Sequence, residues 1–243
     1  MSVGGRSKLP LYGGLLVALL GALFVRLGIW QLDRARQKHE AYAHYTANAA
    51  RAVVDLTDIL NEPPEDLLWR EVRVSGSYVA GADVLLDNQS HAGQPGYLVY
   101  TPMRLRAPSR VVVLINRGWI PLGGKREAVE VPSVDTSERS ILAQVGKPPP
   151  PGLRLSGDDA IEVLPGGIRR VQRLDYAALA AALDVSLQPY VLLLDPGAED
   201  GFTRAWQPPG SDEDRHRSYA VQWFAMASAL VTIYLILLLK ARR

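Results

Sequence analysis

The two ends of the chain carry its longest uninterrupted apolar segments. Residues 9–25 contain no charged side chain, and residues 220–239 form a second uncharged run that stops at Lys240. A helix of about 20 apolar residues is long enough to cross the ~30 Å hydrocarbon core of a bilayer. The pattern therefore predicts transmembrane helices over residues 9–31 and 218–239.

The N-terminal apolar run has two interpretations. A basic start followed by an apolar stretch is also typical of a cleaved signal peptide. No small-x-small cleavage site follows the run, because the next residues are Arg26, Leu27, Gly28, Ile29 and Trp30. This favours an uncleaved signal anchor. Arg26 then lies near the end of the span, where its side chain either snorkels to the interface or pairs with a carboxylate.

Three glycines in the first predicted span recur at a fixed interval. Gly14, Gly21 and Gly28 are seven residues apart, which corresponds to two helical turns. Small residues at such a spacing let another helix approach closely. The alternative is that small residues are simply common in membrane helices.

Between the spans the pattern changes to that of a soluble domain. Residues 31–51 lack Gly and Pro and continue the first helix. Alternating or continuous apolar runs then predict strands. These strands cover residues 69–79, 84–86, 97–103, 110–116, 140–145 and 190–194. Asp175 is a suitable N-cap for a helix that follows it.

The order of these elements predicts the fold class. Short strands joined by turns favour an antiparallel meander, barrel or sandwich over a parallel sheet. Turn-rich segments at 91–96 and 118–124 separate strands, and Pro148–Pro151 predicts a stiff extended spacer. We therefore expect two transmembrane helices flanking an α+β soluble domain, residues 38–214, that is mostly antiparallel β and barrel- or sandwich-like.

Two spans place both termini on one side of the membrane. Basic residues at the two ends compete with Arg34, Arg36 and Lys38. Long translocated domains largely escape this charge rule, so we expect cytoplasmic termini and an extracytoplasmic, periplasmic main domain. The lack of an Arg- and Ser-rich presequence before the first span favours a bacterial plasma (inner) membrane over a mitochondrion.

Composition and motifs exclude several function classes. A net charge of +2, from 27 basic and 25 acidic residues, gives no nucleic-acid-binding face. The chain has no Cys, which excludes disulfides and thiolate chemistry. No G-x-S-x-G elbow, phosphate-binding loop or H-E-x-x-H helix occurs, so we expect no enzyme. Because Cu(I) carriers use Cys or Met ligands, a chain with three Met is a poor copper donor.

The start of the second span carries the candidate chemistry. His216, Tyr219 and Trp223 fall on one stripe of a helix. A neutral imidazole is an axial ligand for haem iron, and the adjacent Arg215 and Arg217 could pair with propionates. The alternative is that these aromatic and polar groups only anchor the helix in the interface.

Several blocks of the sequence, in order and spacing, match one family. The blocks are Gly28-x-Trp30-Gln31-Leu32-x-Arg34, Val72 to Tyr78, Gly93-x-x-Gly96-Tyr97 with Thr101-Pro102, Asn116 to Pro121, and His216-x-x-Tyr219-Ala220-x-Gln222-Trp223-Phe224. They span most of the chain. On these residues the sequence resembles the surfeit locus protein 1 family, membrane factors for cytochrome c oxidase assembly.

The resemblance implies a non-enzymatic role in building a haem–copper oxidase. Bacterial relatives are associated with haem a, and the position of the family's candidate ligand is His216 here. We expect haem a as the cofactor, with oxidase subunits, the haem a synthesis machinery and the lipid bilayer as partners. The alternative function is a cofactor-free scaffold that holds an oxidase subunit. Residues 125–170 receive no role from the resemblance.

Overall fold

The protein is described by a computed structural model. It covers residues 9–123, 129, 131–147, 149 and 161–241. The chain divides into two compact units. One unit contains the first helix up to His44 and the chain from Gln207 onward, and the other contains Tyr45–Trp206.

The described residues form four α-helices and nine strands. The helices are α1 (Leu9–Ala49), α2 (Pro64–Leu67), α3 (Tyr176–Leu183) and α4 (Glu213–Ala241). The strands are β1 (Val54–Asp55), β2 (Glu71–Tyr78), β3 (Val84–His91), β4 (Gln94–Leu105), β5 (Val111–Pro121), β6 (Arg139–Gly146), β7 (Glu162–Val163), β8 (Arg169–Val171) and β9 (Ser186–Leu194).

The helices α1 and α4 are long and apolar enough to cross a membrane. In their most apolar windows only 11% and 6% of the residues are buried within the protein. Helices from the core of a soluble protein would be mostly buried, so the apolar side chains of α1 and α4 indicate membrane association. The two spans predicted from the sequence lie within these helices.

Gly14, Gly21 and Gly28 form a row on α1 that we call the glycine seam, and two of them lie against α4. A Cβ atom at Gly28 would lie 2.7 Å from the Phe224 ring, and one at Gly14 would lie 2.6 Å from the Tyr234 hydroxyl. Gly21 has no other atom within 4 Å of such a Cβ position. The close approach expected from the glycine spacing is therefore made within the chain, between its own two helices.

The unit Tyr45–Trp206 is built around a closed barrel of five strands. The strand order is β2-β6-β9-β5-β4, and β2 also pairs with β4, which closes the ring. Gly76 permits this closure, because a Cβ there would lie 2.1 Å from the carbonyl oxygen of Arg104. The expected strand-rich fold with flanking helices is confirmed.

Most strand pairs are antiparallel, and a few are parallel. The pairs β5–β9, β3–β8 and β1–β2 are parallel.

The apolar core of the barrel lies among the inward side chains of the barrel strands. Its largest fully buried members include Tyr190, Met103 and Ile115. A second buried cluster packs α3, through Leu179, against the sheet.

Two turn predictions need correction. Residues 91–96 are not a loop, because β3 and β4 continue through most of the segment and only Ala92 and Gly93 turn, both with positive φ. Gly118 does not end its strand. It forms a bulge with φ 116° in β5, which continues to Pro121. All three strands are longer than their apolar segments because backbone pairing extends past the apolar positions.

Some predictions fall on residues that the structure does not describe. Pro148, Pro150 and Pro151 of the predicted spacer lie outside the described residues, as do Arg6, Lys8, Arg242 and Arg243 of the topology argument. The spacer and the membrane orientation therefore stay predictions.

Candidate functional site

His216 lies in the first turn of α4 and faces α1. Its Nδ1 atom is 2.7 Å from the side-chain oxygen Oε1 of Gln31. The His216 side chain is 20% exposed, and Gln31 is buried at 9% exposure. Gln31 is one turn beyond Gly28, so the glycine that lets the helices approach also brings the amide to the imidazole.

The hydrogen bond to Gln31 selects one form of the imidazole. The amide oxygen can only accept, so Nδ1 of His216 carries the proton and donates it. In the neutral imidazole, this tautomer leaves a lone pair on Nε2. This is the arrangement in which a histidine serves as a metal ligand, with its other ring nitrogen bonded to an oxygen.

The carboxylate of Asp212 lies on the other side of the ring. Its Oδ2 atom is 3.6 Å from Nε2 of His216, longer than a hydrogen bond. The Lys38 ammonium is 3.0 Å from Asp212, and this hydrogen bond lowers the pKa of the carboxyl. Lys38 therefore keeps the carboxylate ionised while leaving Nε2 without a direct bond to it.

Two aromatic residues continue the His216 side of α4. Tyr219 and Trp223 follow His216 by three and seven positions and share its stripe. Tyr219 is 43% exposed. The Trp223 ring lies 5.7 Å from that of Phe24 on α1. Three of the predicted site residues therefore lie along one side of α4.

The first helix contributes a tryptophan and an arginine to the same side. Successive helical residues are about 100° apart, so Trp30 and Arg34 lie on the opposite side of Gln31 from Leu32. The Arg34 guanidinium is 5.7 Å from the centre of the Trp30 ring. Because Leu32 lines the opposite side of the hairpin together with Arg217 and Val221, helical geometry places Trp30 and Arg34 on the side that carries Tyr219. We call the surface formed by Trp30, Arg34, His216, Tyr219 and Trp223 the His216 flank.

The two arginines predicted for the site, Arg215 and Arg217, lie on different sides of the hairpin. Arg215 is exposed and precedes Tyr219 by four residues, which places it at the edge of the His216 flank. Arg217 lies on the opposite side of the hairpin, where it bonds Glu213 at 2.6 Å. The structure therefore groups Arg215, but not Arg217, with His216.

The blocks in the β domain have a structural role. Arg117 is 3% exposed and bonds the carbonyl oxygen of Asp200 at 2.8 Å. Its guanidinium is 4.0 Å from Asp83 and 4.6 Å from the centre of the Phe202 ring. Burial lowers the pKa of Arg117 and raises the pKa of Asp83. These contacts fix the loop that carries Phe202 onto the barrel.

Trp119 and Gly96 form a second structural pair. Trp119 is 9% exposed, and a Cβ at Gly96 would lie 2.5 Å from its ring. The His91 ring lies beside this tryptophan at an interplanar angle of 41°, with ring centres 5.3 Å apart. Gly96 of the Gly93-x-x-Gly96 block thus provides the space that Trp119 fills.

The donor set of the candidate site is a single imidazole. Within the described ranges, no group of three or more His, Asp or Glu side chains is arranged to hold a metal ion. One histidine with an oriented ring suits a haem iron, because the macrocycle itself supplies the four equatorial nitrogen ligands. The residues present therefore fit a haem better than a free metal ion.

The architecture and the sequence blocks agree with one family. A family model described as the SURF1 family matches residues 18–228. The chain belongs to the SURF1 family. Membership supports a role as an assembly factor for cytochrome c oxidase, and the family is not a known enzyme family.

Three SURF1-like proteins illustrate the similarity. The one from Rickettsia felis is 21% identical over 91% of this chain and 95% of its own length. The one from Rickettsia bellii is 23% identical over 90% and 88%. The one from Monosiga brevicollis is 25% identical over 93% and 88%.

Sequence reasoning missed the contribution of Gln31 and Arg34. Both belong to the block Gly28-x-Trp30-Gln31-Leu32-x-Arg34, and the family resemblance of that block was the only sequence feature that pointed to them. The residues of this block lie on two sides of α1. Gly28 and Gln31 face α4, while Trp30 and Arg34 belong to the His216 flank. The pairing with His216 could not be read without the register between the two helices.

Proposed function

We propose that this SURF1 family protein binds haem a on the His216 flank and retains it for insertion into cytochrome c oxidase. The observation that carries the proposal is the 2.7 Å contact between Nδ1 of His216 and Gln31. It orients the ring and leaves Nε2 for the iron. Bound haem a would supply the redox-active iron centre that the oxidase needs.

The surroundings of His216 suit an amphiphilic macrocycle. Tyr219, Trp223 and Trp30 offer aromatic surface to its apolar rings. Arg34 and Arg215 offer guanidinium groups to its propionates. Asp212 lies 3.6 Å from Nε2, so its side chain must turn away as the ligand enters. Lys38 holds that carboxylate and provides its alternative partner.

The proposal includes a place and partners. Both termini lie in the cytoplasm, and residues 38–214 lie outside the plasma (inner) membrane. The His216 flank then opens near the outer surface of the bilayer, where Trp and Arg side chains are favoured. Haem a arrives from its synthesis machinery and leaves to an oxidase subunit.

An absorption spectrum tests the haem proposal. The full-length protein is expressed with haem a synthesis enabled and purified in detergent as wild type, His216→Ala and His39→Ala. His39 is the matched control, because it is a histidine at the same end of the hairpin but on the other flank. We expect Soret and α bands in wild type and His39→Ala, and their loss in His216→Ala. A colourless wild type, or bands unchanged in His216→Ala, would contradict the proposal.

A cofactor-free scaffold is the second candidate function. The glycine seam suggested it, since a seam could receive a helix of an oxidase subunit. The contacts of Gly14 and Gly28 with Tyr234 and Phe224 show the seam in use within the chain. Gly21 leaves open space, so it is the seam position that remains for a partner helix. The scaffold hypothesis predicts that Gly21→Val lowers oxidase yield more than His216→Ala does, whereas the haem proposal predicts the reverse order.

A further inference from the structure

The side of the hairpin opposite the His216 flank carries an open groove. Its volume is about 380 Å³, and both helices contribute to it. The lining residues are Leu32, Ala35, Arg36, His39, Arg217 and Val221. Three of them are apolar and three carry nitrogen donors or acceptors, so the groove is amphipathic. We call it the basic groove.

Both arginines of the basic groove have bonding capacity to spare. Arg36 pairs with Asp33 and Arg217 pairs with Glu213, each within a turn of its own helix. The two side chains are 68% and 61% exposed. Exposed pairs of this kind are weak, and a guanidinium has five N–H donors, of which a carboxylate occupies at most two. Both groups can therefore receive a second anion.

One carboxylate organises the groove. Glu213 bonds Arg217 and also lies 3.1 Å from Nδ1 of His39. It thus links the end of α4 to α1 and directs both side chains to the same opening. With Nδ1–H donated to Glu213, the Nε2 atom of a neutral His39 is an acceptor, which suits a hydroxyl group.

We propose that the basic groove binds an anionic phospholipid of the outer leaflet, with the phosphate between Arg36 and Arg217. The apolar residues Leu32, Ala35 and Val221 face the glycerol backbone and the first carbons of an acyl chain. His39 accepts a hydrogen bond from a headgroup hydroxyl. This site is separate from the His216 flank and does not depend on haem binding.

Depth favours a lipid as the occupant. The first predicted span ends at residue 31, and Arg36 lies five residues farther along α1, about 7 Å at 1.5 Å per residue. The headgroup layer adds about 5–7 Å on each side of the hydrocarbon core. The Arg36 guanidinium therefore lies at phosphate level, while Leu32 and Val221 lie at the edge of the hydrocarbon. Arg217 directly precedes the second predicted span, and its guanidinium extends away from the span to Glu213, one turn farther along α4.

The positions of the charged residues distinguish a specific lipid site from general electrostatic attraction to an anionic membrane surface. Basic residues near an anionic surface strengthen binding to it wherever they lie. A built site requires the two arginines that share the groove. Arg34 and Arg215 supply the matched control, because they have the same charge and lie on the same two helices, but on the other flank.

Native mass spectrometry of the full-length protein tests the site. The probes are phosphatidylglycerol and phosphatidylcholine, mixed in equal amounts in the detergent micelles. We expect wild type to retain phosphatidylglycerol in preference to phosphatidylcholine. Arg36→Gln with Arg217→Gln lowers that retention about tenfold or more, as loss of two phosphate contacts implies. Arg34→Gln with Arg215→Gln retains the preference.

Three results would overturn the site. One is equal retention of the two lipids by wild type. Another is an equal loss in the two double variants, which would show general attraction to an anionic surface. A third is loss of haem absorption, rather than lipid, in the Arg36 and Arg217 variant, which would make haem the occupant of the groove. Circular dichroism of each variant verifies that the helices and the barrel are folded.

Discussion

Gln31 and His216, on different membrane helices, are joined by a 2.7 Å hydrogen bond from the imidazole Nδ1 to the amide oxygen. Replacing the amide with an apolar group of similar size, as in Gln31→Leu, removes the acceptor that orients the ring. Loss of such an outer partner typically weakens metal binding by about 10–100-fold. We expect a loss of that size in the affinity for haem a, measured by absorption titration of the purified protein.

The matched control at this position is Gln31→Glu. A carboxylate accepts the same hydrogen bond, so we expect near wild-type binding. Equal affinities for wild type and Gln31→Leu would show that Gln31 does not position His216.

Alanine substitutions at two positions of the glycine seam should change the stability of the hairpin by different amounts. A Cβ at Gly28 would lie 2.7 Å from the Phe224 ring, whereas Gly21 has open space. Gly28→Ala therefore overpacks the hairpin and destabilises it by about 1–3 kcal/mol. Gly21→Ala is neutral or stabilises the helix by up to about 1 kcal/mol. Thermal unfolding followed by circular dichroism in detergent measures both, and equal shifts in the two variants would contradict the packing described.

The β domain offers a similar pair in its β3–β4 hairpin. Gly96→Ala places a methyl group 2.1 Å from the carbonyl oxygen of Ile120 and 2.5 Å from the Trp119 ring. We expect it to destabilise the domain by about 2 kcal/mol or more. Gly93→Asn is tolerated, because Asn accepts positive φ and the position is open. The Trp fluorescence of the urea unfolding transition measures the difference, which should vanish if Gly96 has room.

Tyr78 gives the domain an alkaline pH dependence. Burial, followed by the Asp200 carboxylate, raises the pKa of Tyr78 from 10.0 to about 12. Between these values the unfolded chain has lost the proton and the folded chain keeps it, so stability falls as pH rises. Tyr78→Phe removes this component and, because the hydroxyl has no hydrogen-bond partner among the described residues, costs less than about 1 kcal/mol at neutral pH.

Ultraviolet titration at the phenolate band verifies this assignment. Burial also raises the pKa values of Tyr100, Tyr176 and Tyr190. We expect a late-titrating group of tyrosines in wild type and a smaller late amplitude in Tyr78→Phe. An unchanged late amplitude would show that Tyr78 titrates normally.

Local patterns predicted the elements, and contacts between distant residues decided the rest. The uncharged runs predicted both spans, and the alternation in residues 69–79 predicted β2, because one face of the strand is buried. The parallel pairing of β5 with β9 could not be predicted, since the register depends on residues about 75 positions apart. The short strands β1, β7 and β8 lacked enough residues to show a period.

In the candidate site, too, local sequence predicted some features and contacts between distant residues decided the others. The helical stripe predicted that His216, Tyr219 and Trp223 share a side, because a single helix fixes that relation. It could not place Arg217, whose side of the hairpin depends on how α1 packs. Gln31 was visible only as a member of a sequence block. Its bond to His216 required the glycine contact that sets the register of α1 against α4.

The most direct test of haem ligation is rescue of a glycine variant by imidazole. His216→Gly removes the ligand and leaves a space next to Gln31. We predict that purified His216→Gly supplied with haem a lacks the wild-type Soret and α bands and regains them when imidazole is added, while His39→Gly shows wild-type bands throughout. Wild-type bands in His216→Gly without imidazole would contradict ligation of the iron by His216.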